Sequence, residues 1–254
     1  MYTIEKLKGL FASGKIGRRD FIQGAVALGA TISAATSMSS SVMASPKKGG
    51  TLRLAMSSGT TTETTPYYYG VANGDNVFAA VGNVNILRST DNGSNWTTMT
   101  TANLRDVGFG NSTFVACGAD GATYTSANGS SWTSGTPATS NLLNGITFGN
   151  NIFIAVGASG TLIKSTDNGS TFAVGNSQVS TNLYSIAYGN SKFVAVGSGA
   201  VIASSDNTGS TFGIKETIHS FNDVTFGNGV FVAVANDEII YTSTDGDTWT
   251  KVYP

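Results

Sequence analysis

Few residues in this sequence are of the types that perform catalysis, and they are not spaced as a known catalytic set. The 254 residues include one histidine, His219, and one cysteine, Cys117. Ser220 and Asp223 lie near His219 in the chain, but a catalytic triad is a spatial arrangement that sequence neighbours do not form by themselves. One histidine and one cysteine are too few for a zinc site. The sequence therefore predicts no metal, no cofactor and no catalytic residues.

Paired carboxylates are the second route to catalysis. A glycoside hydrolase needs two carboxyl groups about 5–10 Å apart across the sugar. Asp223, Asp237 and Glu238 are close enough in the chain to meet at one end of the structure formed by its last 40 or so residues. We interpret them as exposed surface residues, and we keep an extracytoplasmic glycoside hydrolase-like enzyme as the alternative function.

The charge distribution argues against nucleic-acid binding. Five basic and two acidic residues fall within the first 44 positions, which leaves nine basic and thirteen acidic residues for the rest of the chain. Affinity for nucleic acid comes from clustered positive charge that neutralises phosphates. Because the cations after residue 44 are few and scattered, no nucleic-acid partner is expected.

Two short patterns recur in phase and identify an internal repeat. The first is an apolar Phe-x-Ala-x-Gly segment, ending in Ala in the last copy, whose phenylalanines are 36, 39, 40 and 38 residues apart: Phe78, Phe114, Phe153, Phe193 and Phe231. The second, Ser-x-Asp-x-Gly-x-x-Trp or Phe, occupies 89–96, 126–132, 165–172, 204–212 and 243–249. Its second copy has Asn128 for the Asp and one residue fewer, and its fourth has an extra residue at Thr208. Cys117 replaces a valine of the first pattern, which predicts a buried small hydrophobe.

Each repeat predicts four short strands. In the second copy these are 104–110, 113–118, 122–126 and 131–134, with Gly, Asn or Asp at the breaks. Four strands in about 40 residues, repeated, are typical of a propeller blade. The sequence therefore predicts an all-β fold, a β-propeller of five four-stranded blades over 67–254, with a parallel β-helix as the structural alternative.

Closure of the predicted propeller has two alternatives. The fifth repeat ends in its own fourth strand, at about 248–253, so blade and repeat boundaries coincide. We therefore expect a five-bladed ring closed by packing of blade five on blade one. An open array that is completed by oligomerisation, or a truncated larger propeller, is the alternative.

The second pattern resembles the Asp-box, or BNR, repeat of sialidase-like propellers and of photosystem II assembly-factor-like propellers. The resemblance implies that the box closes the turn between the third and fourth strands. In such a turn the carboxylate accepts backbone N–H bonds, the glycine takes a positive φ and the aromatic residue packs between blades. We interpret the box residues as structural rather than as catalytic or calcium-binding: Asp91, Gly93, Trp96, Trp132, Asp167, Gly169, Phe172, Asp206, Phe212, Asp245 and Trp249.

Sialidase chemistry, which this resemblance suggests, needs three arginines around the substrate carboxylate. After residue 44 the arginines are Arg53, Arg88 and Arg105, all in the first part. Arg88 aligns with Lys164 and Ala203 of other repeats and is interpreted as a solvated strand residue. Three arginines from three blades are not available, so sialidase activity is not expected.

The first 44 residues resemble a twin-arginine export signal. Arg18 and Arg19 precede an apolar run at 25–32 and small residues that end at Ala44. We expect cleavage after Ala44, transport by the twin-arginine translocase, and a periplasmic or secreted product. The apolar run is too short to span a hydrocarbon core of ~30 Å, so no stable membrane insertion is expected after cleavage.

Residues 45–66 are interpreted as a linker with a possible short strand at 51–56. Up to about residue 63 the chain resembles the mature start of a peptide-class periplasmic solute-binding protein. Such a domain needs far more chain than remains, so ligand transport is not carried over. A borrowed leader or a fusion accounts for this segment.

The predicted binding site is the entry of the innermost strands. The linkers between repeats vary while the boxes and second strands stay nearly constant. The aligned entry residues form a polar and aromatic ring suited to a sugar or a peptide: Tyr69, Arg105, Asn144, Tyr184 and Asn222. The sequence therefore predicts an exported, non-catalytic binding or scaffold propeller that recognises an envelope protein or a surface glycan through its loop face.

Overall fold

The computed structural model describes residues 66–253, which belong to one compact unit. The predicted export signal with Arg18 and Arg19, the expected cleavage point and the possible strand at 51–56 lie outside the described residues. Between residues 66 and 253 no helix is long and apolar enough to cross a membrane.

The described residues form five antiparallel sheets of four strands, here called blades one to five. Blade one has β1 (Tyr68–Gly74), β2 (Val77–Gly82), β3 (Asn85–Ser89) and β4 (Thr97–Thr101). Blade two has β5 (Leu104–Gly110), β6 (Thr113–Gly118), β7 (Thr123–Ser126) and β8 (Thr133–Ser134). Blade three has β9 (Leu143–Gly149), β10 (Ile152–Gly157), β11 (Leu162–Ser165) and β12 (Ala173–Val174).

Blades four and five follow the same plan. Blade four has β13 (Leu183–Gly189), β14 (Lys192–Gly197), β15 (Val201–Ser205) and β16 (Phe212–Glu216). Blade five has β17 (Phe221–Gly227), β18 (Val230–Ala235), β19 (Ile240–Ser243) and β20 (Thr250–Tyr253). Two 3-10 turns, Ala119–Gly121 and Ala158–Gly160, join the second and third strands of blades two and three.

The prediction of five four-stranded blades is confirmed. Each sheet takes its strands consecutively from one repeat, so that blade and repeat boundaries coincide. Every strand pair among the described residues is antiparallel, which rules out the parallel β-helix. In the second repeat the first two strands match their predicted bounds, and the third and fourth begin one and two residues later than expected.

Local sequence explains the hairpins that start each blade. Asn150 and Asn151 have φ of 47° and 60° in the turn between β9 and β10. Asparagine tolerates this left-handed conformation, and two such residues make the turn that matches the twist of a hairpin. The strand that follows is buried along its whole length because it is covered on both faces. Cys117 occupies such a position in β6 and is fully buried, as predicted, and burial raises the pKa of its thiol well above the ordinary value.

Neighbouring blades are held together where their first strands lie side by side. The last residue of each first strand is a glycine, and in blades one to four it lies against an aromatic ring of the next blade. A β-carbon on Gly110 would lie 2.1 Å from the ring of Phe148, and one on Gly149 would lie 2.0 Å from the ring of Tyr188. The pairs Gly74–Phe109 and Gly189–Phe226 repeat this contact. The glycine is therefore required because the aromatic ring approaches its backbone closely, and not because of its φ.

The expected closure of blade five on blade one is wrong for the described residues. Strands β17 and β1 lack the side-by-side packing that the other neighbouring first strands share. A β-carbon on Gly227, the last residue of β17, would meet no atom within 4 Å. Blade one has Asn73 where later blades have the interlocking aromatic residue, so it lacks the ring that fills this contact.

Candidate functional site

The five residues predicted as the binding site share one structural feature. In each blade the pairing of the first and second strands shifts by one residue near the start of the first strand. The residue skipped by the pairing is the predicted one in every blade: Tyr69, Arg105, Asn144, Tyr184 and Asn222. A β-bulge turns its extra side chain away from the regular alternation of the strand. We call these five residues the bulge row.

The first two members of the bulge row contact each other across a blade boundary. The guanidinium carbon of Arg105 lies 4.3 Å from the centroid of the Tyr69 ring, which is a cation–π distance. Tyr69 remains 39% exposed. The Nε atom of Arg105 is buried and has no hydrogen-bond acceptor within the part of the chain that the structure describes. The pair is therefore fixed in position while one donor stays unused.

The other members of the bulge row have separate surroundings. The Asn144 amide donates a 2.8 Å hydrogen bond to the Leu183 carbonyl of the next blade, directly before Tyr184. Tyr184 is 38% exposed. The Asn222 amide donates to Asn236 within blade five at 2.9 Å. Since β17 and β1 do not pack together, the described structure does not join Asn222 to Tyr69.

The bulge row lies at the same end of the blades as two sets of loops. In every blade a residue of the turn between the second and third strands donates a backbone hydrogen bond to the linker just before the first strand. The bonds from Ala119 to Asn103 and from Asn236 to Ser220, each 3.0 Å long, are two of the five. The linkers that vary between repeats therefore surround the entry of the first strands, as the sequence predicts.

The box turns lie at the opposite end of the blades and have the geometry of structural turns. In blade three the hydroxyl of Ser165 donates to Asp167 at 2.7 Å and accepts the Gly169 N–H at 2.9 Å. The same carboxylate accepts the backbone N–H and the side-chain hydroxyl of Thr171 at 2.9 and 2.6 Å. Gly169 has a φ of 81°. Blades one and five repeat this network with Asp91 and Asp245.

These hydrogen bonds favour the ionised carboxylates. The backbone N–H of Asn95 is the largest contribution that lowers the pKa of Asp91 to about 2, and the Thr171 hydroxyl is the largest for Asp167, whose pKa is also about 2. Hydrogen bonds from Thr248 and Asp247 N–H groups likewise lower the pKa of Asp245. The groups that donate hydrogen bonds to these carboxylates all belong to the same turn. The boxes therefore stabilise the blades and offer no acid–base pair.

The aromatic residue that ends each box packs on its own second strand. The Trp132 and Trp249 rings lie 6.2 and 6.4 Å from those of Phe114 and Phe231. Phe212 is buried at the same place in blade four. Each indole N–H also donates to the box glycine carbonyl, as from Trp249 to Gly246 at 3.1 Å. One side chain thus joins the turn to the core between blades.

The boxes of blades two and four depart from the pattern in different ways. In blade two the side chain of Asn128 accepts the Ser130 and Ser131 N–H groups at 2.9 and 3.1 Å, so an amide replaces the carboxylate. In blade four the extra residue shifts the alignment. Ser204 pairs with Val194 in the sheet, which corresponds to the pairing of Lys164 with Ile154. The alignment of Ser204 with the first serine of the other boxes is therefore wrong.

Arg88 is a partly exposed residue of β3, and its side chain also contacts the next blade. Its Nε donates a 3.0 Å hydrogen bond to the Asn128 carbonyl in the box of the next blade. Lys164 makes the same kind of bond to Thr208 at 2.8 Å, and the Ser204 hydroxyl donates to Asp247 at 2.6 Å. Sheet pairing places Ser204, and not Ala203, at this repeat position. These side chains join blades, and Arg88 lies at the box end, away from Arg105.

The acidic residues considered for catalysis belong to two elements of blade five, β17 and the turn before β19. Asp223 accepts a 2.6 Å hydrogen bond from Ser185 of blade four. Asp237 and Glu238 are exposed turn residues, each with a φ of 62°. The ring of His219 lies 6.2 Å from that of Tyr241. Within residues 66–253 no group of three or more His, Cys, Asp or Glu residues is placed to hold a metal ion.

One surface feature was missed by sequence reasoning. A groove of about 830 Å³ runs between β16 of blade four and blade five. Ile214, Ile218, Tyr241 and Trp249 contribute to its lining, and Ile218 is 84% exposed. The sequence offers no signal for this groove, because the repeats align poorly where β16 lies.

Comparison with known proteins was made by sequence and by structure. No protein-family model and no curated protein matches the sequence. Among solved structures, YCF48 bound to a D1 peptide superposes with a TM-score of 0.58 at 17% identity, over 76% of this chain and 69% of that chain. The fold is a β-propeller. YCF48 from Cyanidioschyzon merolae gives a TM-score of 0.56 at 13% identity, over 74% and 71% of the two chains.

A structure from a different setting gives a similar score. The nidogen–laminin complex superposes with a TM-score of 0.59 at 11% identity, over 74% of this chain and 81% of that chain. At such identities the similarity establishes the architecture of this chain, and functional residues are not transferred by it.

Proposed function

We propose that this protein is a non-catalytic binding propeller that holds an extended segment of a partner protein against the bulge row. The observation that carries the proposal is the register shift found at the same place in all five blades, each time at a residue of the bulge row. The boxes and second strands repeat, whereas these five side chains differ. Such variation on a repeated scaffold suits a ligand that is itself not repetitive.

The chemistry of the bulge row favours a polypeptide. Tyr69 and Tyr184 offer partly exposed aromatic faces, which bind apolar side chains at low entropic cost. The guanidinium of Arg105 is held against Tyr69, so a carboxylate or a main-chain carbonyl of the ligand has a charged partner in a fixed position. An extended peptide carries both apolar side chains and a row of carbonyl groups.

Two further observations support this choice. The structurally similar YCF48 has been solved with a bound D1 peptide, which makes a peptide ligand a reasonable class for this fold. The predicted twin-arginine signal with Arg18 and Arg19 would direct this protein to the cell envelope or the exterior, and its partner would then be found there. The partner is thus proposed to be an envelope protein, and a surface glycan is the competing ligand.

A peptide-display selection tests the proposal. The purified protein is used to select short random peptides, and the affinity of the enriched peptides is measured for the variants Arg105→Ala and Tyr184→Ala. We expect each variant to bind about tenfold or more weakly, equivalent to about 1.4 kcal/mol. The control is Val174→Ala, because Val174 is 67% exposed on the outer strand β12.

A glycan array with the same variants separates the two ligand classes. Peptides that bind all variants equally would place the site elsewhere on the molecule. Glycans that bind the wild type and lose affinity with the variants would replace the peptide by a sugar as the ligand of the bulge row.

A further inference from the structure

One face of blade five is built like a blade interface but has no blade on it. Val234 is 38% exposed, whereas its equivalents in the other blades, Val81, Cys117, Val156 and Val196, are all completely buried. Val232 is partly exposed as well, in a position that is completely buried in the four preceding blades. Sheet pairing puts Thr242 and Ile240 on the same side. We call these four residues the open face of blade five.

Hydrogen-bonding groups at the edge of this face are also without partners. In three blades the first residue of the hairpin turn donates to the next blade: Asn111 to Asn168 at 3.1 Å, Asn150 to Asn207 at 2.9 Å and Asn190 to Thr244 at 2.7 Å. The corresponding residue of blade five is Asn228, which is exposed. Across the described part of the chain no group accepts a hydrogen bond from its amide.

The opposite face of blade one has the complementary features. Phe78 is only partly buried, although Phe114, Phe153, Phe193 and Phe231 are completely buried. The glycines of later boxes contact the preceding blade, as Gly169 does with Val115. Gly93 of the first box meets only its own Trp96. We call the side formed by Phe78, Leu87 and Trp96 the aromatic face of blade one.

We propose that the open face of blade five binds the aromatic face of blade one of a second copy of this chain. The two faces carry the two halves of one interface that already occurs four times within the chain. Those four interfaces hold blade one away from blade five of the same molecule, so a second copy supplies the missing blade. The contact is heterologous, joining unlike surfaces head to tail, and it forms a ring if the rotation closes and a linear assembly if it does not.

Sedimentation velocity over a range of protein concentrations, combined with mixing of variants, tests the proposal on the full chain. The variant Val234→Lys disables the open face, and Leu87→Lys disables the aromatic face. Each variant alone should be monomeric, with self-association weakened at least a hundredfold. An equimolar mixture should give a one-to-one dimer, because one intact face remains on each partner. The control, Val174→Lys on the outer strand β12, should assemble like the wild type.

Several outcomes overturn the proposal. The first is a wild-type chain that stays monomeric up to about 100 µM, because at this concentration even a contact of about 5–6 kcal/mol would be populated. The second is a mixture of the two variants that gives no dimer, because the contact is then not head to tail. Circular dichroism checks that each variant folds. If Leu87→Lys does not fold, Asn73→Lys takes its place, since Asn73 is exposed on the same face.

Discussion

The guanidinium carbon of Arg105 lies 4.3 Å from the ring centroid of Tyr69, joining the bulge residues of blades one and two. This contact is made between neighbouring blades and not within one. The candidate binding surface is therefore assembled by blade packing, and its geometry depends on the interfaces that hold the first strands side by side. Changes to those interfaces and changes to the surface itself should have separable effects.

Replacing Arg105 should affect stability only slightly. The variant Arg105→Met removes the cation–π contact, which is worth about 0.5–1 kcal/mol at an exposed site, and keeps the apolar part of the side chain. We expect a loss of at most about 1 kcal/mol in the free energy of unfolding, measured by urea denaturation. A larger loss would show that Arg105 serves the fold, and the binding role would lose its basis.

Two glycines at the same repeat position should respond differently to alanine. Gly149→Ala places a β-carbon 2.0 Å from the Tyr188 ring, so we expect a loss of about 1–3 kcal/mol from overpacking. Gly227→Ala meets no atom within 4 Å and should be neutral within about 0.5 kcal/mol. Thermal and urea unfolding of both variants make the comparison. Equal destabilisation would show that blade five packs on another blade in the isolated chain.

The repeat made most of the fold predictable. Strands alternate with turn residues such as Asn150 and Asn151, and the phase of the two patterns gives the number and order of the strands. The position of Tyr184 and its equivalents could be found because aligned residues of a repeat adopt equivalent structure. The bulge itself could not be foreseen, since the residues at which it occurs share no residue type.

The serine of the box should contribute measurably to the stability of its blade. Ser165 is buried, and its hydroxyl accepts the N–H of Gly169 while donating to Asp167. Ser165→Ala leaves a buried N–H without an acceptor, which costs about 1–3 kcal/mol. Thr166→Ala, at the exposed neighbouring position, is the matched control and should be nearly neutral. Similar stabilities of the two variants would contradict the structural role of the box.

Stability should fall in acid through the box carboxylates. Hydrogen bonds lower the pKa of Asp91 and Asp167 from 3.8 to about 2 in the folded chain. The folded state therefore gains stability from them above pH 3.8, and this gain is lost as the pH falls towards 2. Melting temperatures measured across this range should decline less in Asp167→Asn than in the wild type. Parallel declines would show that Asp167 is not held by the turn.

Closure of the propeller could not be predicted from the repeat. Five complete copies suggest a closed ring when counted, but closure depends on how far each interface rotates one blade against the next. The residue that matters is Asn73, because the other blades have at this position the aromatic ring that packs against the preceding blade. For the same reason the contact between Arg88 and Asn128 could not be foreseen, because Asn128 lies in the following blade and 40 positions away.

Site-specific photo-crosslinking tests the binding role of the bulge row most directly. A photoreactive phenylalanine analogue is placed at position 184, and for comparison at position 174 on the outer strand, in a cell that expresses the full chain. We predict that irradiation joins position 184, and not position 174, to one discrete polypeptide, which mass spectrometry then identifies. The account is contradicted if position 184 gives no polypeptide adduct, or if both positions give the same adducts.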